Sequence, residues 1–126
     1  MRFNYLFDGD PQHLRELREG LEDWVGASAQ YVDDLLIVTN ELATNALIYG
    51  KPPILIAVVR EPALIRIRVT QSCQPEGNIP RLASLPGYRG RGLLLVNTLS
   101  QAWGWSSNGQ NLAVWAELAD PGNLSQ

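Results

Sequence analysis

Two polar side chains four residues apart, Glu41 and Asn45, fall within a segment with helical periodicity. Residues at positions i and i+4 of a helix share one face. A carboxylate beside a carboxamide can orient a nucleophile and ligate Mg²⁺, which prefers hard oxygen ligands. The alternative interpretation is a solvated helix face with an i,i+4 polar contact, which is the commoner reason for this spacing.

A second candidate for chemistry is the short motif Gly90-Arg91-Gly92. Glycines let the backbone approach a ligand closely, and the unpaired amides at a helix start attract phosphate oxygens. Arg91 would add a positive charge at that place. The motif matches neither the dinucleotide-binding nor the P-loop fingerprint, and a flexible entry to a helix explains it equally well.

Composition argues against several other kinds of site. The 126 residues include one histidine, His13, and one cysteine, Cys73, which disfavours a zinc centre, a disulfide framework and a Ser-His-Asp or Cys-His triad. The net charge of −3 disfavours direct nucleic-acid binding. Because the apolar runs are too short for a membrane span and no signal peptide is recognisable, we expect a cytoplasmic protein without membrane contact.

Hydrophobic periodicity predicts eight elements in one compact domain. Strands are predicted over 2–7, 54–60, 64–70, 105–107 and 112–118, and helices over 11–25, 30–49 and 92–103. Residues 71–91 follow neither period and are rich in Pro, Gly and Ser, which is typical of a long irregular loop that is either a functional lid or a disordered segment. We expect a single domain over 1–119 and a C-terminal tail over 120–126.

The predicted order is β-α-α-β-β-α-β-β, which favours an α/β fold. Ile65, Ile67 and Val69 alternate with Arg66 and Arg68, so one face of the sheet is apolar and the other polar. The expected architecture is a two-layer sandwich in which helices pack on one face of a mixed, mostly antiparallel sheet.

The motifs as a set resemble those of a known family. Residues 38–46 read VTNELATNA, 90–96 read GRGLLLV, 103–105 read WGW and 114–118 read VWAEL. In this order and spacing they resemble the small bacterial ATP-binding regulators of the anti-sigma-factor serine kinase family. That family belongs to the ATPase superfamily shared by gyrase, histidine kinases and the mismatch-repair ATPases. The resemblance covers nearly the whole chain and implies the histidine-kinase-like ATPase fold, or Bergerat fold.

The resemblance also implies roles for particular residues. An ATP pocket would lie between the helices and one face of the sheet, under a mobile lid. Asn45 would ligate Mg²⁺, and Glu41 would act as general base or orient the attacking hydroxyl. The phosphates would be held by Gly90, Arg91, Gly92 and the following amides, beginning with Leu93.

The same resemblance implies protein partners. Family members phosphorylate a serine on an antagonist protein and also bind a sigma factor, usually as homodimers. The expected function is therefore that of an ATP-binding regulator of transcription with serine/threonine kinase activity.

Two positions depart from the family pattern. Gln71 stands where the family carries an adenine-reading aspartate, and Ala113 stands where a threonine often precedes the last Val-Trp. A charged acceptor for the adenine amino group contributes about 1.5–3 kcal/mol and a neutral amide about 0.5–1.5 kcal/mol. The deficit of roughly 1–2 kcal/mol corresponds to about a 5- to 30-fold loss in affinity.

These departures leave two further hypotheses open. One is a degenerate, non-catalytic relative that binds proteins and has weak or no ATP binding. The other is a pocket reshaped for a different small ligand.

Overall fold

The computed structural model of the protein describes residues 2–26, 31–49, 51–72, 91–107 and 110–120. Within them the elements follow the predicted order β-α-α-β-β-α-β-β. The strands are β1 Arg2–Phe7, β2 Lys51–Glu61, β3 Leu64–Ser72, β4 Ala102–Ser107 and β5 Asn111–Ala119, and the helices are α1 Pro11–Val25, α2 Val32–Tyr49 and α3 Arg91–Leu99. Cys73, Gly90, most of the predicted loop and residues 121–126 of the predicted tail lie outside the described residues.

The five strands form one open sheet in the order β1-β2-β3-β5-β4. All four pairings between neighbouring strands are antiparallel. The sheet formed by the described strands is therefore antiparallel rather than mixed. With the three helices packed on it, this sheet confirms the predicted α/β two-layer sandwich.

The two faces of the sheet differ in burial, as the alternation predicts. Ile65 and Ile67 of β3 are fully buried in a core cluster that also contains residues of α1 and α2. On the opposite face, Leu6 and Leu55 pair across β1 and β2 and are 64% and 44% exposed. The helices therefore cover one face, and none of the described helices covers the other face, which we call the open face.

Helix α1 begins and ends at the predicted residues. The Asp10 side chain accepts a hydrogen bond from the amide of Gln12, and Pro11 occupies the first helical position. Gly26 ends the helix with a φ of 97°, a conformation that favours glycine, and its amide bonds to the Glu22 carbonyl. Local sequence chemistry is sufficient to define this helix.

Two strands are longer than predicted at the end of the sheet that follows α2. β2 begins at Lys51 and includes Pro52 and Pro53, with a register shift before Leu55. Prolines are tolerated at such irregularities. β3 continues to Ser72, so the predicted loop begins two residues too early. Pairing of Gln71 and Ser72 with β5 extends this strand, and the composition of these two residues does not predict that pairing.

The prediction of a helix over 92–103 is wrong at its C-terminal end. Helix α3 ends at Leu99, and Trp103 and Gly104 lie in β4. Gly104 pairs with Trp115 of β5, and a Cβ atom on Gly104 would lie 2.9 Å from the Trp115 ring. The glycine makes room for an indole ring on the neighbouring strand and does not terminate a helix.

Candidate functional site

Helix α2 places Glu41 and Asn45 at one edge of its buried stripe. Leu42 and Ala46 belong to the core, Asn45 is 4% exposed, and Glu41 is half-buried one turn earlier. The spacing of four residues on an observed helix puts the carboxylate and the carboxamide on the same face.

The Asn45 side chain contains an unsatisfied acceptor. Its Oδ1 atom is buried and has no hydrogen-bond partner among the described residues. A buried polar atom without a partner costs about 1–3 kcal/mol, so folded proteins rarely keep one unless an ion, a ligand or a water molecule binds it. Thr39 Oγ1, on the same helix, is likewise buried and without a partner in the described part of the chain.

Gln71 lies near the end of β3 on the face that the helices cover. It follows the buried Ile67 and Val69 at two-residue intervals and is itself 4% exposed. Its register partner on β5 is Leu112, which is 2% exposed. A carboxamide and an apolar side chain therefore meet on the helix side of these two strands.

Ala113 lies on the other face of the sheet. It pairs with Thr70, and both point away from the side that carries Gln71 and Leu112, because successive strand residues alternate between faces. The structure does not bring Ala113 together with Gln71. The residue that sequence reasoning missed is Leu112, and counting back by twos from the apolar Ala116 and Val114 would have found it.

The motif predicted to hold phosphates is described in part. Arg91, Gly92 and Leu93 form the first turn of α3, while Gly90 lies outside the described residues. Helix α3 packs against α2, and its Val96 is fully buried. The first amides of an α-helix have no acceptor within the helix, so those of α3 are of the kind that can donate to an anion.

The connection from α2 to β2 and the pairing of β2 with β3 place Asn45 and Gln71 at one end of the molecule. Helix α2 ends at Tyr49, β2 begins at Lys51, and Lys51 pairs with Ser72, the neighbour of Gln71. Helix α2 also contacts β3 and β5 directly. Asn45, in the penultimate turn of α2, and Gln71 therefore lie at the same end of the same helix-covered face.

A family model for the histidine kinase-like ATPase domain matches residues 7–117. The chain belongs to the histidine kinase-like ATPase family. The matched region runs from the end of β1 to the last third of β5, so it includes every residue proposed above for the site.

Two solved structures share this ATPase fold. The structure of the RsbU and RsbW domains of Rv1364c from Mycobacterium tuberculosis superposes with a TM-score of 0.69 at 15% identity, covering 94% of this chain and 32% of that one. The histidine kinase AdeS of Acinetobacter baumannii gives a TM-score of 0.58 at 13% identity, covering 94% of this chain and 68% of that one. This chain thus spans about a third of the first structure. A search of curated proteins found no match.

The oxygen donors of this ATPase domain fit Mg²⁺ held jointly with a ligand. Among the described residues, no group of three His, Cys, Asp or Glu side chains is placed to hold a metal ion. The site offers the unpaired Asn45 oxygen and the Glu41 carboxylate instead. Mg²⁺ commonly takes one or two protein oxygens and completes its octahedron with water and phosphate oxygens, so this sparse donor set is compatible with Mg²⁺ bound to a nucleotide.

In the part of the chain that the structure describes, none of the helices has the length and apolar character needed to cross a bilayer.

Proposed function

We propose that the chain binds Mg-ATP and acts as a regulatory protein of the anti-sigma-factor serine/threonine kinase type. The observation that carries this proposal is the buried Asn45 Oδ1 atom, which has no partner in the described residues and lies one turn from Glu41. Bound Mg²⁺ would satisfy that oxygen and remove the cost of leaving it unpaired.

Each residue has a distinct role in this proposal. Asn45 ligates Mg²⁺, and Gln71 contacts the adenine ring from the floor of the sheet. The phosphates are held by the segment Gly90, Arg91, Gly92 and Leu93. ATP would supply its γ-phosphoryl group to the serine hydroxyl with ADP as the leaving group, and the Glu41 carboxylate would accept the proton of that hydroxyl.

The partners in this proposal follow from the motif resemblance. They are a sigma factor and an antagonist protein whose serine is phosphorylated, with the chain acting in the cytoplasm as a homodimer. The structural likeness to a chain that contains an RsbW domain supports the fold on which such a function is built.

A non-catalytic protein-binding module is the second candidate. It is favoured by the pair Gln71 and Leu112, which are 4% and 2% exposed. Neither side chain carries a charge to hold the amino group of adenine, and Leu112 offers it no hydrogen bond.

Thermal unfolding with nucleotide tests the binding proposal. Mg-ATP at one hundred times its dissociation constant adds about 2.7 kcal/mol to the free energy of unfolding, which raises Tm by about 10 °C in a domain of this size. Asn45→Ala should lose the part of this shift that requires Mg²⁺. Asn40→Ala, half-buried on a different side of α2, is the matched control and should keep it.

Two results would count against the proposal. Equal Mg²⁺-dependent shifts in the Asn45→Ala and wild-type proteins would remove Asn45 from the metal site. If ATP leaves Tm unchanged both in the wild type and in Gln71→Asp, the protein-binding module is the better description.

Phosphate transfer tests the role of Glu41 separately. Glu41→Gln keeps the size of the side chain and one acceptor oxygen, but the carboxamide cannot act as a base at neutral pH. We expect its Mg-ATP affinity to stay within a factor of about three and its transfer rate to fall by about a hundredfold or more. Transfer at the wild-type rate would exclude Glu41 as the base.

A further inference from the structure

The open face of the sheet contains a hollow that the proposed nucleotide site does not use. It lies over β3, β5 and β4 and has a volume of about 260 Å³. Its lining consists of Arg68, Thr70, Ser106, Ser107, Asn111 and Ala113. Because Thr70 and Ala113 point away from Gln71 and Leu112, the hollow and the proposed adenine contact lie on opposite faces.

The small side chain of Ala113 creates this hollow. Ala113 pairs with Thr70 on one side and with Ser106 on the other. Neighbouring strands are about 4.8 Å apart, so the two hydroxyl-bearing residues stand about 10 Å apart across a floor that is only a methyl group. That width accommodates a tetrahedral oxyanion between the two hydroxyls.

Arg68 gives the hollow a positive charge, and no carboxylate of the described residues is paired with it. Arg66, two residues earlier on the same face, is paired with Glu117 at 2.7 Å and with Glu61 at 3.4 Å. No ion pair joins Arg68 to any residue in the described part of the chain, and its side chain is exposed. The lining contains no carboxylate.

The chemistry of the lining selects a phosphate-type anion. A guanidinium offers only donors, and serine and threonine hydroxyls rotate to donate to whatever acceptor lies between them. Donors on β3 and β4, on either side of Ala113 in β5, approach a ligand from different directions, which suits a tetrahedral oxyanion better than a planar carboxylate. Arg is also the cation best suited to phosphate, because its planar fork binds two oxygens at once.

We propose that the hollow around Arg68, Thr70, Ser106 and Ala113 binds a phosphate group, either as free phosphate or as a phosphate monoester on another molecule. This site goes beyond the proposed nucleotide-binding function and does not depend on it. Arg68 pairs with the anion, the two hydroxyls donate to its remaining oxygens, and Ala113 leaves the space in which it sits.

An NMR titration of the ¹⁵N-labelled protein with inorganic phosphate at constant ionic strength tests the site. We expect saturable shifts at the amides of Thr70, Ala113 and Ser106, with a dissociation constant in the millimolar range that is typical of an exposed anion site. Arg68→Gln should weaken binding by about tenfold or more, the loss expected for a charged hydrogen-bonding partner. Ala113→Leu, which fills the hollow, should abolish binding.

Two controls separate this site from general electrostatics and from the nucleotide pocket. Arg2→Gln removes an exposed positive charge elsewhere on the same face and should change the phosphate affinity by less than twofold. Asn45→Ala should leave the phosphate titration unchanged, and Arg68→Gln should leave the Mg-ATP shift unchanged. Loss of binding at one site would then leave binding at the other site unchanged.

Titration with a second ligand shows whether the bound phosphate is free or belongs to a phosphorylated protein. A short phosphoserine peptide that binds more tightly than inorganic phosphate, while its unphosphorylated form does not bind, identifies a phosphorylated protein as the source. Weaker or equal binding of the peptide identifies free phosphate.

Three results would overturn the site. One is an equal response to acetate and phosphate, which would mean a non-selective charge effect. Another is an Arg68→Gln affinity equal to that of the wild type. The third is an Arg68→Gln protein that becomes monomeric while the wild type is dimeric and shows no phosphate-induced shifts, which would assign Arg68 to a contact with a second copy of the chain.

Discussion

Gln71 is buried at the end of β3, where a neutral carboxamide takes the place of a carboxylate in the family pattern. A charged acceptor binds the adenine amino group more strongly than an amide does. In the absence of ligand, however, a carboxylate at this buried position would be costly, because it would lose its hydration without gaining a partner. In the proposed site, the amide therefore stabilises the unliganded protein relative to a carboxylate and weakens the binding of the nucleotide.

Gln71→Asp should tighten Mg-ATP binding by about 5- to 30-fold, which corresponds to roughly 1–2 kcal/mol. The unliganded variant should melt below the wild type because its buried carboxylate is unpaired. Calorimetric titration measures the affinity, and Gln71→Asn is the control because it shortens the side chain without adding charge. A gain of equal size in Gln71→Asn would mean that length, and not charge, limits binding.

The chain's only histidine makes an interaction that the sequence did not reveal. His13 Nδ1 lies 2.8 Å from Asp8 Oδ1, and the Asp10 amide donates to the same carboxylate oxygen. The hydrogen bond to Asp8 raises the pKa of His13 above its ordinary 6.5. The Asp10 amide and then His13 lower the pKa of Asp8 below its ordinary 3.8.

These opposite pKa shifts predict a pH window for stability. The His13 contribution is complete below pH 6.5 and is lost as the pH rises through the raised folded-state pKa. The Asp8 contribution is complete above pH 3.8 and is lost as the pH falls through the lowered folded-state pKa. Asp8→Asn should therefore lower the urea midpoint more at pH 5.5 than at pH 8.5. Equal losses at both pH values would contradict the pairing.

At the scale of elements, one glycine in β4 and one in α1 test how closely each element packs against its neighbours, because the first is crowded and the second is not. A Cβ on Gly104 would lie 2.9 Å from the Trp115 ring, which is closer than side chains approach one another. A Cβ on Gly20, within α1, would lie 3.6 Å from Phe3, an ordinary contact. The same substitution should therefore have opposite effects at the two positions.

Gly104→Ala should lower the free energy of unfolding by about 1–3 kcal/mol, because the indole must move out of its packed position. Gly20→Ala should raise it by about 0.5–1 kcal/mol, since alanine restricts the unfolded chain and favours the helix. Urea unfolding measures both. A stabilised Gly104→Ala protein would show that the Trp115 ring does not lie over that strand.

At the scale of the whole molecule, the ion pair between Arg60 and Asp120 joins distant parts of the chain. Arg60 Nε lies 3.2 Å from Asp120 Oδ2, and the Asp120 side chain is 1% exposed. The Arg60 guanidinium also stands over the Tyr31 ring at 5.7 Å, and the Asp120 amide bonds to the Ala63 carbonyl. The first residue of the predicted tail is thus buried beside the β2–β3 turn.

Arg60→Met should lower the free energy of unfolding by about 3 kcal/mol, because it leaves a buried carboxylate without its cation. The double variant Arg60→Met with Asp120→Asn should lose less than the sum of the two single variants. The surface pair Arg15–Glu19, with side chains 76% and 64% exposed, supplies the control. Arg15→Met should cost less than about 0.5 kcal/mol. Strict additivity at Arg60 and Asp120 would show that the pair does not act as a unit.

The accuracy of the sequence-based predictions depended on the range of the interactions involved. The limits of α1 followed from Asp10, Pro11 and Gly26, whose effects are confined to one helical turn. The positions of Glu41 and Asn45 on one face followed from helical spacing alone. Trp103 was wrongly predicted to lie in a helix because β4 exists through its pairing with β5 and not through its own composition.

The amino-acid sequence by itself determined the order of the elements, the apolar face of β3 and the family to which the chain belongs, because these depend on residue type and on spacing over a few positions. Only the tertiary structure decided that Gln71 shares its face with Leu112 while Ala113 does not, and that Arg66 is paired while Arg68 is left without a carboxylate in the described residues. Strand register and burial set those outcomes, and both arise from contacts between segments far apart in the chain.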